Sequence, residues 1–172
     1  MLLILFLVFF EVVFFMETDS FVEELRVRKI RDGTVIDHLP GNTALRILNL
    51  LGLPQKDTLS VLINVDSEKL KKKDLIKIEN RYLTEDEIAV LGFIAPNSTI
   101  NFVKNYAVIS KKKPGLPETL RNVKCPNPIC ISNDPEPTRP LLTLKEKEKE
   151  SYRCKYCGRV FSREEIENAI FG

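Results

Sequence analysis

Apolar and polar residues alternate over residues 25–30 (LRVRKI), which predicts a strand ended by the turn pair Asp32-Gly33. Residues 34–39 (TVIDHL) predict a second extended stretch, stopped by Pro40-Gly41. The period then changes. Leu45, Leu48 and Leu51 are placed on one face of a helix that starts at an Asn42 or Thr43 cap and closes at Gly52. Residues 59–65 form a β-branched run with the character of a buried strand, residues 70–73 a basic turn, and residues 75–80 another alternating strand. Thr84-Glu85-Asp86-Glu87 is a capping-box start for a second helix, which reaches about Ile94 and is ended by Pro96. Residues 99–103 and 106–109 predict the last strands before Lys111-Lys112-Lys113-Pro114-Gly115-Leu116-Pro117. Two prolines and a glycine make that stretch a composition break, read as the domain boundary.

These elements predict an α+β chain. Residues 17–113 form a β-rich domain whose connections are too short for most parallel crossovers of a doubly wound fold. An antiparallel sheet with both helices on one face fits them. A linker at 114–117 leads to residues 118–172, a β-rich unit too small to bury much core without a staple. Within it, residues 145–150 (KEKEKE) read as a solvated loop or hairpin tip, and residues 163–170 as a short helix.

Cysteine placement supplies the staple. All four cysteines lie in the last third, as Cys125-x4-Cys130 and Cys154-x2-Cys157 with 23 residues between the pairs. A disulfide framework suits small secreted chains with scattered cysteines. Two short-spaced pairs instead converge on one tetrahedral ion, and four thiolates leave no open position, so a structural zinc is expected.

Charge narrows the partners. Residues 17–113 carry 16 basic and 14 acidic groups and residues 114–172 carry 10 and 9, giving a net charge of +2 overall. No basic block is available for non-specific nucleic-acid binding. The first sixteen residues, MLLILFLVFFEVVFFM, are apolar except for Glu11, lack a basic n-region and fall short of a membrane span. They read as a signal-like anchor, an added hydrophobic segment, or upstream translation with Met16 as the true start. The last reading agrees with metal-binding cysteines in a reducing cytoplasm, and no membrane partner is expected.

Catalytic motifs are missing: no Gly-x-Ser-x-Gly, no His-Glu-x-x-His, no phosphate-cradling glycine loop. The single histidine, His38, follows Asp37, but strand neighbours point to opposite faces and need not form a dyad. Lys73 and Lys77 project to one face if both lie in a strand, and Lys111 follows a later strand. Three ammonium groups on one sheet face can receive a triphosphate, or can simply be solvated.

Gly33-Thr34-Val35-Ile36-Asp37-His38 with Pro40, residues 73–80 (KDLIKIEN), Ala95-Pro96, Thr99-x-Asn101, Asn105-Tyr106, Leu116-Pro117, Cys125-Pro126-Asn127, Cys130-Ile131 and Cys154-Lys155-Tyr156-Cys157 occur together in order. In this the chain resembles the regulatory chain of aspartate carbamoyltransferase, from about residue 25 to the C-terminus. The resemblance implies a non-catalytic subunit with a ferredoxin-like allosteric domain that forms a homodimer. It also implies a zinc-ribbon or rubredoxin-like domain that docks on catalytic chains. CTP is the implied inhibitor, with ATP competing at the same site and UTP assisting CTP. Implied nucleotide contacts are Val27, Ile30, Val35, Asp37, His38, Lys77, Tyr106, Val108 and Lys111, with Lys73 more peripheral. Asp37 and Lys77 would address the ribose, Lys111 and His38 the phosphates, and backbone groups at Ile30 and Tyr106 the base edge. Arg28-Lys29 departs from the family pattern by adding positive charge beside the base pocket. The competing reading is a zinc-ribbon protein that binds nucleic acid, for which Tyr152, Tyr156 and Phe161 are available; an enzyme comes third.

Overall fold

The computed structural model describes residues 28–52, 58–134 and 139–171. The segment 1–16, residues 25–27 of the first predicted strand, and with them Val27, lie outside the described residues.

The order of elements is β1 (Gly33–Pro40), α1 (Ala44–Leu51), β2 (Leu59–Ser67), β3 (Lys71–Glu79), α2 (Glu85–Ile94), β4 (Thr99–Lys104) and β5 (Ala107–Lys112). Their sheet runs β2-β3-β1-β4-β5, and every neighbouring pair is antiparallel. This is the split β-α-β pattern with one strand appended. α1 and α2 each connect parallel strands one position apart, and right-handed crossovers place both helices on the same face. That face is buried: Ile36, Leu39, Ile76, Ile78 and Ile100 pack against Ile47, Leu51, Ile88 and Leu91. The opposite face carries Val35, Asp37, Lys73, Leu75 and Lys77 at partial exposure.

The capping box on α2 forms as predicted, with the Glu87 N–H donating to the Thr84 hydroxyl and the Thr84 N–H to the Glu87 carboxylate. Gly52 closes α1 in the left-handed region at φ 53. Thr43 occupies the N-cap of α1, but its hydroxyl donates to the Pro40 carbonyl. The capping acceptor comes from β3 instead. Buried Asp74 accepts from the Thr43 and Ala44 N–H groups through Oδ2 and from the Asn64 N–H through Oδ1, each at 2.9 Å.

Four local expectations change. Residues 28–30 form no strand, because β1 already has β3 and β4 on its two sides. Leu45 is 59% exposed, and α1 buries Ala44, Ile47 and Leu51 instead. A spacing of three slips about 60° per step against the helical period, so the buried stripe takes the 3-and-4 pattern. β2 is an outer strand with no fully buried residue, since a β-branched run reports fit to a pleated surface rather than a central place. The turn spans residues 68–70, and Lys71–Lys73 continue β3 against Ser67, Asp66 and Val65.

The second sheet, β6-β7-β8-β9, comprises β6 (Thr119–Arg121), β7 (Leu141–Glu146), β8 (Ser151–Cys154) and β9 (Val160–Phe161), followed by α3 (Arg163–Phe171). The charged run forms the β7–β8 hairpin tip, as predicted. This unit does not close its core alone. Val90 and Phe93 of α2 pack into it with Leu120, Leu142, Tyr152 and Ile166. Phe93 meets Tyr152 edge-on at 5.5 Å between ring centroids. The Tyr152 hydroxyl donates to the linker carbonyl of Pro117 at 2.7 Å. Burial, with Glu150 nearby, pushes that phenol up to about 12, so the hydroxyl stays a donor. Among the described residues, no helix is long and apolar enough to cross a membrane.

Candidate functional site

Sheet register builds the first site. Val35 pairs with Lys77 on one side and Asn101 on the other, and Asn101 pairs with Lys111. Lys77, Val35, Asn101 and Lys111 therefore form one row across four strands, with the two lysines about 14 Å apart at the backbone. That row floors an open cavity of about 460 Å³. Its apolar walls are Ile30, Val35, Val103 and Val108; Tyr106, the Asn101 amide and a third ammonium group, Lys29, complete the lining.

Local backbone explains several placements. Asn105 and Tyr106 have φ of 49° and 63° and turn β4 into β5, which puts Tyr106 at the rim. The Tyr106 N–H donates to the Arg31 carbonyl, and the Lys77 ammonium donates to the Arg28 carbonyl at 2.7 Å. Residues 28–31 are thereby laid along the cavity without joining the sheet. Burial lowers the Lys77 pKa from its ordinary value. An anion would reverse that penalty, because opposite charge favours the ammonium form.

Asp37, His38 and Lys73 form a second cluster on the continuation of the same strands. Lys73 Nζ lies 2.8 Å from Asp37 Oδ1, and His38 Nδ1 lies 3.3 Å from Asp37 Oδ2. Strand alternation would separate Asp37 from His38. A register irregularity between Ile36 and Leu39, with His38 at φ 60, breaks the alternation and turns both side chains together. Lys73, expected in a turn, joins this cluster from within β3.

Ile30, Val35, Lys77, Tyr106, Val108 and Lys111 thus line one cavity, and Asp37, His38 and Lys73 stand beside it. Lys29, Asn101 and Val103 were not among the predicted contacts. Asn101 was findable from its period-two relation to Thr99 and Val103, but only the register shows that it sits between two predicted residues.

The second site is the cysteine cluster. The four Sγ atoms lie within 4.8 Å of one another, and the pairs Cys125–Cys157 and Cys130–Cys154 are 3.8 Å apart. A disulfide would need about 2.05 Å. Tetrahedral thiolates on an ion at about 2.3 Å have edges of about 3.8 Å, so the donor set fits a metal. Two turns aim the thiols. The Cys130 N–H donates to the Asn127 carbonyl, and the Gly158 N–H to the Cys154 carbonyl. Asn133 braces the first turn: its Oδ1 accepts from the Cys125 N–H, and its Nδ2 donates to the Cys125 and Asn127 carbonyls. No spacing rule signals that asparagine. Burial and the neighbouring thiols hold Cys125 well above the ordinary thiol range. Burial also opposes ionisation of Cys130, but hydrogen bonding from Ser132 outweighs it and brings this thiol to about 7. Four thiolates buried side by side need a cation.

Comparison with known proteins matches both units. Residues 25–115 match the family described as aspartate carbamoyltransferase regulatory chain, allosteric domain, and residues 118–167 match the metal binding domain of the same regulatory chain. An aspartate carbamoyltransferase regulatory chain from Methanothrix thermoacetophila is 48% identical over 137 residues, covering 78% of this chain and 89% of the relative. One from Pyrobaculum islandicum is 46% identical over 140 residues, covering 79% and 93%. One from Sulfolobus acidocaldarius is 42% identical over 161 residues, covering 91% and 98%.

Proposed function

The chain belongs to the aspartate carbamoyltransferase regulatory chain family, and from that premise we propose that its first sheet senses nucleoside triphosphates while its metal domain anchors it to catalytic chains. The observation that carries this reading is the row of Lys77, Val35, Asn101 and Lys111 under the 460 Å³ cavity. Ammonium groups at both ends, with apolar Val35 and the Asn101 amide between them, match a ligand with a flat base and a polyanionic tail. CTP is the inhibitor in this reading, ATP competes for the cavity and UTP assists CTP. Lys111 and His38 address phosphates, while Lys77 and Asp37 address the ribose. The Tyr106 N–H is engaged by the Arg31 carbonyl, so base reading falls to the Tyr106 carbonyl, to the Ile30 backbone and to the Asn101 amide, which offers both donor and acceptor.

Zinc is the proposed ion, since four buried thiolates in a tetrahedral set suit a redox-inert, borderline-soft cation. Its chemistry here is structural: it neutralises the thiolates and ties two turns together. The docking reading rests on the knuckle side chains, where Ile129 is 84% exposed and Ile131 59%, with Tyr156 beside Cys157. Apolar side chains this exposed around a rigid centre fit a protein partner. A second copy of the chain is proposed to pair through the sheet domain, where outer strand β2 exposes Leu59 and Ile63. A reducing cytoplasm is the proposed compartment, since metal-binding cysteines suit one.

Regulation then follows from linkage. A nucleotide that binds one quaternary state better than another shifts catalytic chains toward that state, typically by ~1–3 kcal/mol. The test is to reconstitute the chain with aspartate carbamoyltransferase catalytic chains and titrate each nucleotide while recording aspartate saturation. Curves that do not move with any of the three would refute the effector reading. Absence of zinc from the assembled complex would refute the metal assignment.

A further inference from the structure

Helix α2 belongs to both halves of the molecule, and one side chain of the metal domain grips its end. Arg163, the first residue of α3, donates through Nη2 to the carbonyls of Phe93 and Ile94 in the last turn of α2. Those carbonyls have no partner within the helix and carry its negative pole, so a guanidinium there satisfies both needs. The same group lies 5.0 Å from the Phe93 ring centroid. Its remaining nitrogens are taken by Glu150 at the β7–β8 tip and by Glu167 one turn along α3. Arg163 thus joins α2, the hairpin and α3 at one point. A planar fork with five donors reaches these four acceptors at once, whereas an ammonium offers only three donors from one compact head. Its position is itself fixed from below, because Phe93 is fully buried against Tyr152.

We propose that Arg163 is a positioning residue that fixes the metal domain on the end of α2, and so sets how strongly the two domains respond to each other. The second half of this inference rests on the effector reading above; the first half does not.

The experiment uses the full chain, metal-loaded, as Arg163→Lys and as the doubly neutral Glu150→Gln/Glu167→Gln. The pair of variants guards against one that fails to fold, with full metal content as the check. Amide exchange at Ala95 and Ser98, at the end of α2, is expected to accelerate at least tenfold in both, while exchange at Ile76 and Ile100 in the sheet stays unchanged. Equal exchange at Ala95 and Ser98 in wild type and both variants would overturn the positioning role. In the assembly, nucleotide dissociation constants are expected within twofold of wild type, while the shift of the aspartate saturation curve falls at least threefold. An undiminished shift alongside accelerated exchange would overturn the coupling role. A wild-type assembly that responds to no nucleotide would instead remove the effector reading and the coupling half with it, leaving the exchange result to decide the clasp.

Discussion

Gly92, in the middle of α2, approaches the Gly115 carbonyl so closely that a Cβ would stand 2.1 Å from that oxygen and 3.0 Å from Pro114 Cβ. The linker crosses the helix at the one position without a side chain. Helix propensity alone favours Gly92→Ala by about 1 kcal/mol. Relieving the clash requires moving linker backbone that Tyr152 holds at Pro117, and overpacking costs about 1–3 kcal/mol. The expected outcome is a net loss of up to about 2 kcal/mol in thermal unfolding. A raised midpoint would show that the linker yields freely.

Asp74 ties β3 to the start of α1 and to β2 through three backbone N–H groups. Asp74→Ala leaves the buried Ala44 N–H without an acceptor, while the Thr43 N–H keeps the Pro40 carbonyl at 3.3 Å and the Asn64 N–H can turn to water; an unsatisfied buried donor costs about 1–3 kcal/mol. A loss of about 1–3 kcal/mol is expected in urea unfolding. Asp74→Asn, which keeps one acceptor oxygen, should lose clearly less; equal losses would mean that volume rather than hydrogen bonding matters.

Lys77 supplies a pH signature. Burial lowers its pKa, so the charged form is disfavoured in the ligand-free fold. Stability of the ligand-free fold therefore rises as pH increases through the lowered pKa toward the ordinary lysine value. A bound polyanion draws the pKa back up, so nucleotide binding should take up protons near that pH and weaken above it. Calorimetric titration in buffers of different ionisation enthalpy reads this directly. Lys77→Met should weaken binding about 10–100-fold, or about 1.4–2.8 kcal/mol, and abolish the proton uptake.

The thiol cluster predicts acid release of the metal. Cys130 is depressed to about 7 while Cys125 is held high by burial. In the metal-free fold, stabilisation from the Cys130 thiolate is present above the ordinary thiol range and is lost as pH falls through about 7; a bound cation holds the thiolates to lower pH. Metal uptake at pH 8 should thus release protons, chiefly from the other thiols. Cys157→Ala should lose the ion and loosen the second sheet. Because Val90 and Phe93 are buried in that core, α2 should lose exchange protection too. Intact protection of α2 in a metal-free Cys157→Ala chain would show that the two cores are energetically separate.

Much of this molecule is local enough to be written in the chain. Two short-spaced cysteine pairs converge on one ion because each turn presents two thiolates to the same point. Thr84 and Glu87 cap α2 with atoms three residues apart, and period two places Lys73 and Lys77 on one strand face. Membership in the regulatory chain family was legible from motifs in order. Tertiary structure decided what depends on register and on contacts between distant elements. Asp37 and His38 share a side only because the ladder with β3 slips between Ile36 and Leu39. Leu45 faces solvent because the sheet accepts the stripe of Ala44, Ile47 and Leu51. Asn101 and Lys29 enter the cavity through cross-strand pairing and through a segment laid over the sheet. Phe93 belongs to a helix of the first sheet's domain, yet it is buried against Tyr152 in the other. Periodicity tells which residues of an element share a face; only the packed chain tells what that face meets.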